Sequence, residues 1–289
     1  MKKIFLYTLT FATMGTVLFG SYSLGKKLIH GTSKNEAPIA TTTSETVDRT
    51  ALKKNSNHNL EADKYAYKTS EINSYIKGEA QTDKKLVFLT FDDGVDTIVT
   101  PQVLDILKEH QVPATFFIVG QYANEQTAEI MKRQIREGHA IGVHSYTHSI
   151  GLLYPGMVGN TPVILQEFRD THDAFKKILG NDYFSSVWRY PGGHMSWRGL
   201  EVVDSTLKAE GIENIDWNLM NGDAESPLRK PKTPVQMMTY FHGSGQYYPE
   251  TSVKVVLMHD TTGREITVET LPQIIKHFKD QGYEFGILE

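Results

Sequence analysis

Short apolar runs alternate with segments of helical periodicity from residue 85 onward. The runs are rich in residues that favour strands and are too short for helices, so each predicts a buried β-strand. The segments between them carry apolar residues three and four positions apart, which predicts amphipathic helices. The predicted strands cover residues 88–91, 114–119, 140–143, 188–189, 215–219, 253–258 and 284–288. Such alternation is typical of a mostly parallel sheet with helices outside it, either open or closed into a barrel.

The start of the chain has a different pattern. Residues 4–24 form an uncharged stretch with lysines on both sides. About 20 apolar residues span a bilayer, whereas the core of a signal peptide has about 7 to 15. The length therefore favours a single-pass signal anchor at residues 1–27, and the lysines at the very N-terminus favour a cytoplasmic start. We expect the rest of the chain to lie outside the cell at the membrane, or to be secreted if this segment is cleaved.

Two further segments precede the main domain. Residues 28–64 are rich in Thr, Ser, Asn and Lys and have no apolar period, which predicts a flexible linker. In the next segment, 65–84, the apolar residues Ile72, Tyr75 and Ile76 are spaced as on one face of a helix. We predict that this extension docks a short helix on the domain formed by residues 85–289.

Composition excludes several classes of function. The net charge of −4 over 289 residues gives no reason to expect nucleic acid as a partner. The absence of cysteine excludes a disulfide framework, a thiolate nucleophile and a cysteine-ligated metal. Any metal must therefore be bound by Asp, Glu and His. We expect a monomer.

Ionisable residues follow four of the predicted strands. Taken singly, each cluster could be an ordinary turn or loop, and a histidine pair at this spacing is a weak motif. The carboxyl ends of parallel strands meet at one edge of a sheet, so the four clusters should converge. Two adjacent carboxylates at a strand end point in different directions, so one can bind a metal while the other acts as a base. The clusters contain Asp92 with Asp93, His144 with His148, Arg189, and His259.

These motifs resemble those of the carbohydrate esterase family 4 polysaccharide deacetylases, which share the NodB homology domain. The resemblance covers residues 85–289 in the order of the family. It implies an α/β fold, a distorted (β/α) barrel of the NodB type, here preceded by a membrane anchor and a flexible linker. The matching motifs are Thr90-Phe91-Asp92-Asp93-Gly94, His144-Ser145-Tyr146-Thr147-His148, Arg189-Tyr190-Pro191 and Leu257-Met258-His259.

The resemblance implies a metal centre. Asp93, His144 and His148 would bind a divalent metal, zinc first, with Co²⁺, Mn²⁺ or Ni²⁺ as alternatives. Two histidines and one carboxylate leave coordination positions open, as catalytic zinc sites do. Asp92 would be the general base, and Arg189 would orient it.

The resemblance also implies the remaining roles. His259 would be the general acid, tethered by Asp223, because the amine leaving group of an amide needs a proton. The backbone N–H of Gly192 would help to bind the oxyanion. Tyr190 and Trp217 lie near the motifs and could stack on sugar rings, although an aromatic residue near a core more often packs inside it.

The implied reaction is the metal-dependent hydrolysis of N-acetyl groups on GlcNAc residues of cell-wall glycans. The substrate would be peptidoglycan or the GlcNAc of a wall-polysaccharide linkage unit. The fourth motif of the family usually reads Asp-x-x-Asp-Trp, whereas Met220-Asn221-Gly222-Asp223-Ala224 keeps only its second Asp, and Gly192 replaces an aromatic residue of the third motif. These departures leave open a catalytically impaired glycan-binding protein, or a deacetylase of poly-GlcNAc, chitin oligomers or acetylated xylan.

Overall fold

Parallel strands form the centre of the molecule, which a computed structural model describes over residues 47–289. The predicted anchor at 1–27 and the predicted linker up to residue 46 lie outside the described residues. Within residues 47–289, no helix combines the length and the apolar composition needed to cross a membrane.

The strands and helices alternate along the chain, as the apolar pattern predicts. The strands are β1 (Ala66–Tyr67), β2 (Leu86–Asp92), β3 (Thr115–Ile118), β4 (Ala140–Val143), β5 (Val187–Trp188), β6 (Glu213–Asn214), β7 (Leu219–Met220), β8 (Val253–His259), β9 (Glu284–Phe285) and β10 (Ile287–Leu288). The α-helices are α1 (Thr69–Ile76), α2 (Val99–His110), α3 (Ala128–Arg136), α4 (Ile150–Leu153), α5 (Thr161–Leu179), α6 (Glu201–Ala209), α7 (Pro234–Ser244) and α8 (Glu265–Asp280). Short 3₁₀ helices span Ala62–Tyr65, Gly120–Tyr122, Pro155–Met157, His194–Ser196 and Gly245–Tyr247.

The main sheet has the strand order β6-β5-β4-β3-β2-β8-β7, and β9 also pairs with β2. Every strand pair in it is parallel. The two edge strands, β6 and β7, do not pair with each other among the described residues, so the sheet curls into an open half-barrel with helices outside it. The predicted distorted (β/α) barrel is confirmed. The register of β2 and β8 places Asp92 opposite His259, which already brings two of the predicted clusters together.

One predicted strand is wrong. Residues 215–219 were expected to form a strand, but β6 ends before this segment and β7 begins only at its end. At Asn218 the segment is joined to β8 by side-chain bonds as well as by its backbone N–H, which donates to the carbonyl of Val255 at 3.1 Å. The Nδ2 atom of Asn218 donates to the carbonyl of Val253 at 2.9 Å, and its Oδ1 accepts from the N–H of Val255 at 2.8 Å. The segment is a loop that leaves Trp217 beside a cavity.

The predicted last strand, 284–288, is divided at Gly286. β9 pairs with β2, whereas β10 pairs with β1 in a separate two-stranded sheet. A Cβ atom at Gly286 would lie 2.7 Å from the ring of Phe88, so only glycine allows the chain to approach the core here.

The predicted linker is also wrong at its end, because residues 47–64 pack on the domain. Asn59 donates from Nδ2 to the carbonyl of Ile135 at 2.7 Å, and its Oδ1 accepts from the N–H of Ala62 at 2.8 Å. Asn57 donates to the carbonyl of Leu288 at 3.0 Å. The polar composition predicted disorder, yet these amide side chains satisfy backbone groups of the domain. The helix α1 follows, and Ile72 is fully buried against the sheet.

Candidate active site

Asp93, His144 and His148 meet at the carboxyl end of the sheet. Asp93 follows β2 with a positive φ of 71°, and His148, in the loop after β4, has a φ of 56°. Such backbone conformations are uncommon outside glycine and cluster at functional sites. The Oδ1 atom of Asp93 lies 3.4 Å from Nε2 of His144 and 3.3 Å from Nε2 of His148. One oxygen and two nitrogens therefore converge, with all three ligand atoms within 4.8 Å of one another.

The protonation of these groups fits a bound cation. The Nδ1 atom of His144 lies 2.8 Å from the backbone carbonyl of Arg189, and a carbonyl only accepts, so Nδ1 carries the proton. The Nε2 atom of His144 then presents a lone pair toward Asp93. The Oδ1 atom of Asp93 is buried and has no hydrogen-bond partner within residues 47–289. Lone pairs that face one another without a proton are the arrangement of metal ligands, and the carbonyl partner of His144 is a typical outer-shell contact.

The charge state of Asp93 agrees with this arrangement. Burial alone would raise the pKa of Asp93, but its three histidine neighbours, His144, His259 and His148, bring it well below its usual range. For His148, burial and the neighbouring His144 lower the pKa, which favours the neutral imidazole that metals bind. The triad therefore offers one anionic and two neutral donors.

Asp92 is held by a buried arginine. Its Oδ1 atom accepts from Nη1 of Arg189 at 2.8 Å, and its Oδ2 atom lies 3.8 Å from Nε2 of His144. Arg189 also donates to the hydroxyl of Thr90 at 2.7 Å and to the carbonyl of Ile215 at 2.9 Å, so its plane is fixed. The guanidinium carbon lies 4.1 Å from the ring centroid of Phe117, so the guanidinium group also makes a cation–π contact. One oxygen of Asp92 is thereby bound, and the other remains beside the triad of Asp93, His144 and His148.

His259 is oriented by Asp223. The distance from Nδ1 of His259 to Oδ1 of Asp223 is 2.7 Å, and the other carboxylate oxygen accepts from the N–H of His259 at 2.9 Å and from the hydroxyl of Thr267 at 2.7 Å. The Nε2 atom of His259 lies 3.8 Å from Oδ2 of Asp93. Burial would lower the pKa of His259. The charge and the hydrogen bond of Asp223, together with the charges of Asp93 and Asp92, raise this pKa to about 9. The direction of this shift favours the protonated imidazole.

Sequence reasoning missed a residue that supports the second motif. Glu167 of α5 is buried and accepts from the N–H groups of Tyr146 and Thr147 at 3.0 and 3.1 Å. Its other oxygen accepts from the hydroxyl of Thr147 at 2.6 Å. The signal in the sequence is a carboxylate beside Phe168, on the apolar face of an amphipathic helix. Glu167 thus fixes the loop that carries both histidines.

A cavity of about 300 Å³ opens over these groups. Gly192 and Trp217, two predicted substrate-binding residues, line it. The third, Tyr190, does not: its side chain is 1% exposed, and its hydroxyl donates to Asp204 at 2.8 Å. The predicted contact of Tyr190 with sugar is wrong, because this ring packs edge-on against Trp188 inside the core. The altered fourth motif also lines the cavity, through Met220, Gly222, Asp223 and Ala224, and with it Glu225.

Comparison with known proteins gives consistent results. The sequence profile of the family described as "Polysaccharide deacetylase" matches residues 79–206. YheN of Bacillus subtilis, named as a polysaccharide deacetylase, is 35% identical over 217 residues, which are 74% of this chain and 71% of YheN. A peptidoglycan-N-acetylglucosamine deacetylase of Bacillus cereus is 28% identical over 219 residues, which are 75% of this chain and 93% of that protein.

A solved structure gives the same result in three dimensions. The structure of a Streptococcus mutans CE4 esterase superimposes with a TM-score of 0.81 at 46% sequence identity. The match covers 84% of this chain and 100% of that one.

Proposed function

The chain belongs to the carbohydrate esterase family 4 polysaccharide deacetylases, and from that premise we propose that it hydrolyses N-acetyl groups on cell-wall GlcNAc with a bound divalent metal. One observation carries this proposal. The cluster of Asp93, His144 and His148 shares one cavity of about 300 Å³ with the carboxylate of Asp92 and the imidazole of His259. Arg189 holds the carboxylate, and Asp223 holds the imidazole. A metal-dependent amide hydrolase uses three such groups. A cation activates the carbonyl, a base accepts a proton from water, and an acid protonates the leaving amine.

Asp93, His144 and His148 would hold the metal. A divalent ion there would supply Lewis-acid activation of the acetyl carbonyl and would lower the pKa of water. Two imidazoles and one carboxylate suit zinc, and the same donor set also accepts Co²⁺, Mn²⁺ or Ni²⁺. The lone pairs of His144 and Asp93 that face one another support this assignment.

The other roles follow from the positions of the side chains. Asp92 would accept the proton of the attacking water through the oxygen that Arg189 leaves free. His259 would give its Nε2 proton to the departing amine, while Asp223 keeps the ring oriented and charged. The N–H of Gly192 would stabilise the oxyanion at the wall of the cavity.

The substrate we propose is a polymer of the cell wall: peptidoglycan, or the GlcNAc of a wall-polysaccharide linkage unit. The shape of the site supports an extended ligand. A further cavity of about 450 Å³ lies on another side of the metal triad, shares Asp93 and His148 with the catalytic cavity, and includes Tyr122 and Thr262. The predicted anchor at residues 1–27 would hold the domain at the outer face of the cell membrane, within reach of the wall.

The direct test is acetate release from purified peptidoglycan, wall polysaccharide, chitin oligosaccharides and acetylated xylan, with and without a chelator. We expect release from one or both wall fractions. We also expect chelation to reduce the rate by more than about 100-fold, because even outer-shell partners of a metal are worth about 10- to 100-fold. Added Zn²⁺ should restore it. Rates that persist after the metal content has fallen to background would refute the role of the metal.

A second candidate function is glycan binding without chemistry, which the altered fourth motif favours because Met220 and Ala224 line the catalytic cavity. It predicts that the metal-loaded protein binds wall glycans and releases no acetate from any of them. Release that depends mainly on acetylated xylan would instead assign the site to a different ester or amide substrate.

The pair of Asp223 and His259 gives a prediction about pH. A general acid must be protonated, so activity falls as pH rises through its pKa, and Asp223 is what raises that pKa. Asp223→Asn removes the charge, lowers the pKa of His259, and should move the alkaline limb of the kcat/KM profile to lower pH. The exposed Asp280→Asn serves as the control and should leave the profile in place. An alkaline limb that does not move in Asp223→Asn would show that His259 is not the acid.

A further inference from the structure

A positively charged cleft lies between the loop that follows β7 and the start of α7. Its volume is about 490 Å³, and we call it the basic cleft. Three of its lining residues, Arg229, Lys230 and Lys232, carry positive charge, and no acidic residue of the described chain lines it. The sequence has no Asp or Glu from residue 226 to residue 249. The basic cleft is therefore a concentrated positive patch on a chain whose net charge is −4.

The cations of the basic cleft are only partly neutralised. Arg229 lies 2.9 Å from Glu225, and Lys230 donates to the carbonyl of Gly263 at 3.3 Å. Glu265 accepts from the N–H of Gly263 at 3.0 Å and is close enough to Lys230 for their charges to interact, yet it does not line the cleft. Neither lysine of the cleft has an ion-pair partner within residues 47–289. Both lysines thus keep their charge available for an anionic partner.

Apolar side chains are exposed at the same place. Leu228 is 99% exposed and Val235 is 77% exposed, and both line the basic cleft. Single exposed apolar residues are normal on a protein surface. Two of them beside a cluster of cations suit the membrane interface, where apolar groups enter the acyl boundary and Lys or Arg attract anionic headgroups. An anionic wall polymer would engage the cations and leave Leu228 in water, so the combination favours a membrane.

The chain before the domain brings every face of it within reach of a membrane. Residues 28–46 join the predicted anchor to the described domain and span at most about 65 Å when fully extended. A domain of this size has a radius of gyration of about 18 Å, which is much shorter than that reach. The predicted anchor therefore does not select an orientation, and a second contact is needed to select one. A tether also favours such a contact, because it raises the effective concentration of the domain at the bilayer.

We infer that the basic cleft docks the domain on a membrane with anionic lipid headgroups, with Lys230 and Lys232 against the phosphates and Leu228 in the interface. Such docking goes beyond the proposed function, because it concerns where the domain acts and involves no chemistry. Glu225 connects the two sites: it lines the catalytic cavity and accepts from the hydroxyl of Tyr240, which lines the basic cleft, at 2.7 Å. Docking therefore places the catalytic cavity beside the membrane, where it reaches the glycan strands nearest the bilayer.

The absence of cysteine in this chain allows a probe at a single position. Val235→Cys places one thiol at the basic cleft, and Val202→Cys, on α6 and 60% exposed, is the matched control. Each full-length variant carries an environment-sensitive fluorophore and is reconstituted on vesicles of phosphatidylcholine, with or without phosphatidylglycerol. The readout is local, so attachment through the predicted anchor does not produce it. On the anionic vesicles we expect the fluorophore at position 235 to shift to shorter wavelength and to be quenched by a spin-labelled lipid, whereas the fluorophore at position 202 should show neither effect.

Charge reversal tests the role of the lysines. Lys230→Glu combined with Lys232→Glu should abolish both the shift and the quenching at position 235. Each lysine near an anionic membrane contributes about five-fold in affinity, and a glutamate in its place adds repulsion. Lys54→Glu combined with Lys177→Glu changes the net charge equally at exposed positions outside the cleft, and it should leave the signal unchanged.

Three results would overturn the inference. The first is equal behaviour of the fluorophores at positions 235 and 202 on anionic vesicles. The second is a signal at position 235 that persists after reversal of both lysines, or that is equally strong on vesicles of phosphatidylcholine alone. The third is a shift with soluble polyphosphate and none with vesicles, which would assign the basic cleft to an anionic polymer. None of these measurements uses acetate release, so each outcome is independent of the test of the proposed function.

Discussion

Replacing Asp92 by asparagine should reduce the rate of acetate release by about 10²- to 10⁴-fold, the range that a positioned general base contributes. Asparagine has nearly the same shape and keeps an oxygen for Arg189, which donates to Asp92 at 2.8 Å. It has no basic atom beside the metal triad, so water loses its proton acceptor. The metal should remain bound, because Asp93 and the two histidines are untouched. The measurements are kcat on a wall fraction and metal content after dialysis.

The control for this variant is Asp83→Asn, an exposed position shortly before β2. It should retain wild-type rate and metal content. Loss of metal in Asp92→Asn would contradict the assignment of Asp92 as a base. This outcome is worth measuring because the second oxygen of Asp92 lies only 3.8 Å from Nε2 of His144. That result would make Asp92 a ligand rather than a base. Activity within about 10-fold of wild type would remove Asp92 from the chemistry altogether.

The convergence of the site could be predicted from the sequence because the sheet is parallel. All the strands of such a sheet end at the same edge, so ionisable residues at four strand ends must approach one another. The register of β2 and β8 is an example of this rule, because it places Asp92 opposite His259. The triad of Asp93, His144 and His148 follows from the same rule, since each member lies in a loop that leaves this edge.

The walls of the site could not be predicted in the same way. Tyr190 follows the arginine of the third motif and was expected at the substrate, but its hydroxyl finds Asp204 on α6, a partner that no local pattern indicates. Trp217 was expected within the strand predicted at residues 215–219 and instead lies in a loop, where the side chain of its neighbour Asn218 bonds to β8. Both outcomes depend on contacts between residues distant in sequence.

The ordered segment at 47–64 shows the same limit. Its polar composition predicted a linker, since few apolar residues are available to bury. Asn57 and Asn59 nevertheless bond to backbone carbonyls far along the chain, at Leu288 and Ile135. Hydrogen bonds of this kind hold a polar segment in place without an apolar period, so periodicity cannot reveal them.

Arg189 should contribute more to stability than any other charged residue of the site. It is fully buried and donates to Asp92, Thr90 and the carbonyls of Ile215 and Asp216. Arg189→Met fills much of the space but leaves a buried carboxylate without its cation. Breaking a buried ion pair in this way costs about 3–5 kcal/mol. We expect a decrease of that size in the free energy of unfolding of the metal-loaded protein, measured by urea denaturation.

Arg169→Met is the matched control, because Arg169 is exposed and lies 3.5 Å from Glu210, a surface pair worth about 1 kcal/mol or less. The double variant with Asp92→Asn identifies the cause. If the uncompensated carboxylate is what destabilises Arg189→Met, then neutralising Asp92 in the same protein should recover part of the loss, since the two effects are coupled through one contact. Additive losses would instead assign the effect to the severed bonds with Thr90, Ile215 and Asp216. An Arg189→Met protein as stable as Arg169→Met would contradict the idea that this arginine holds the base in place, because a side chain whose removal costs nothing cannot constrain its partner.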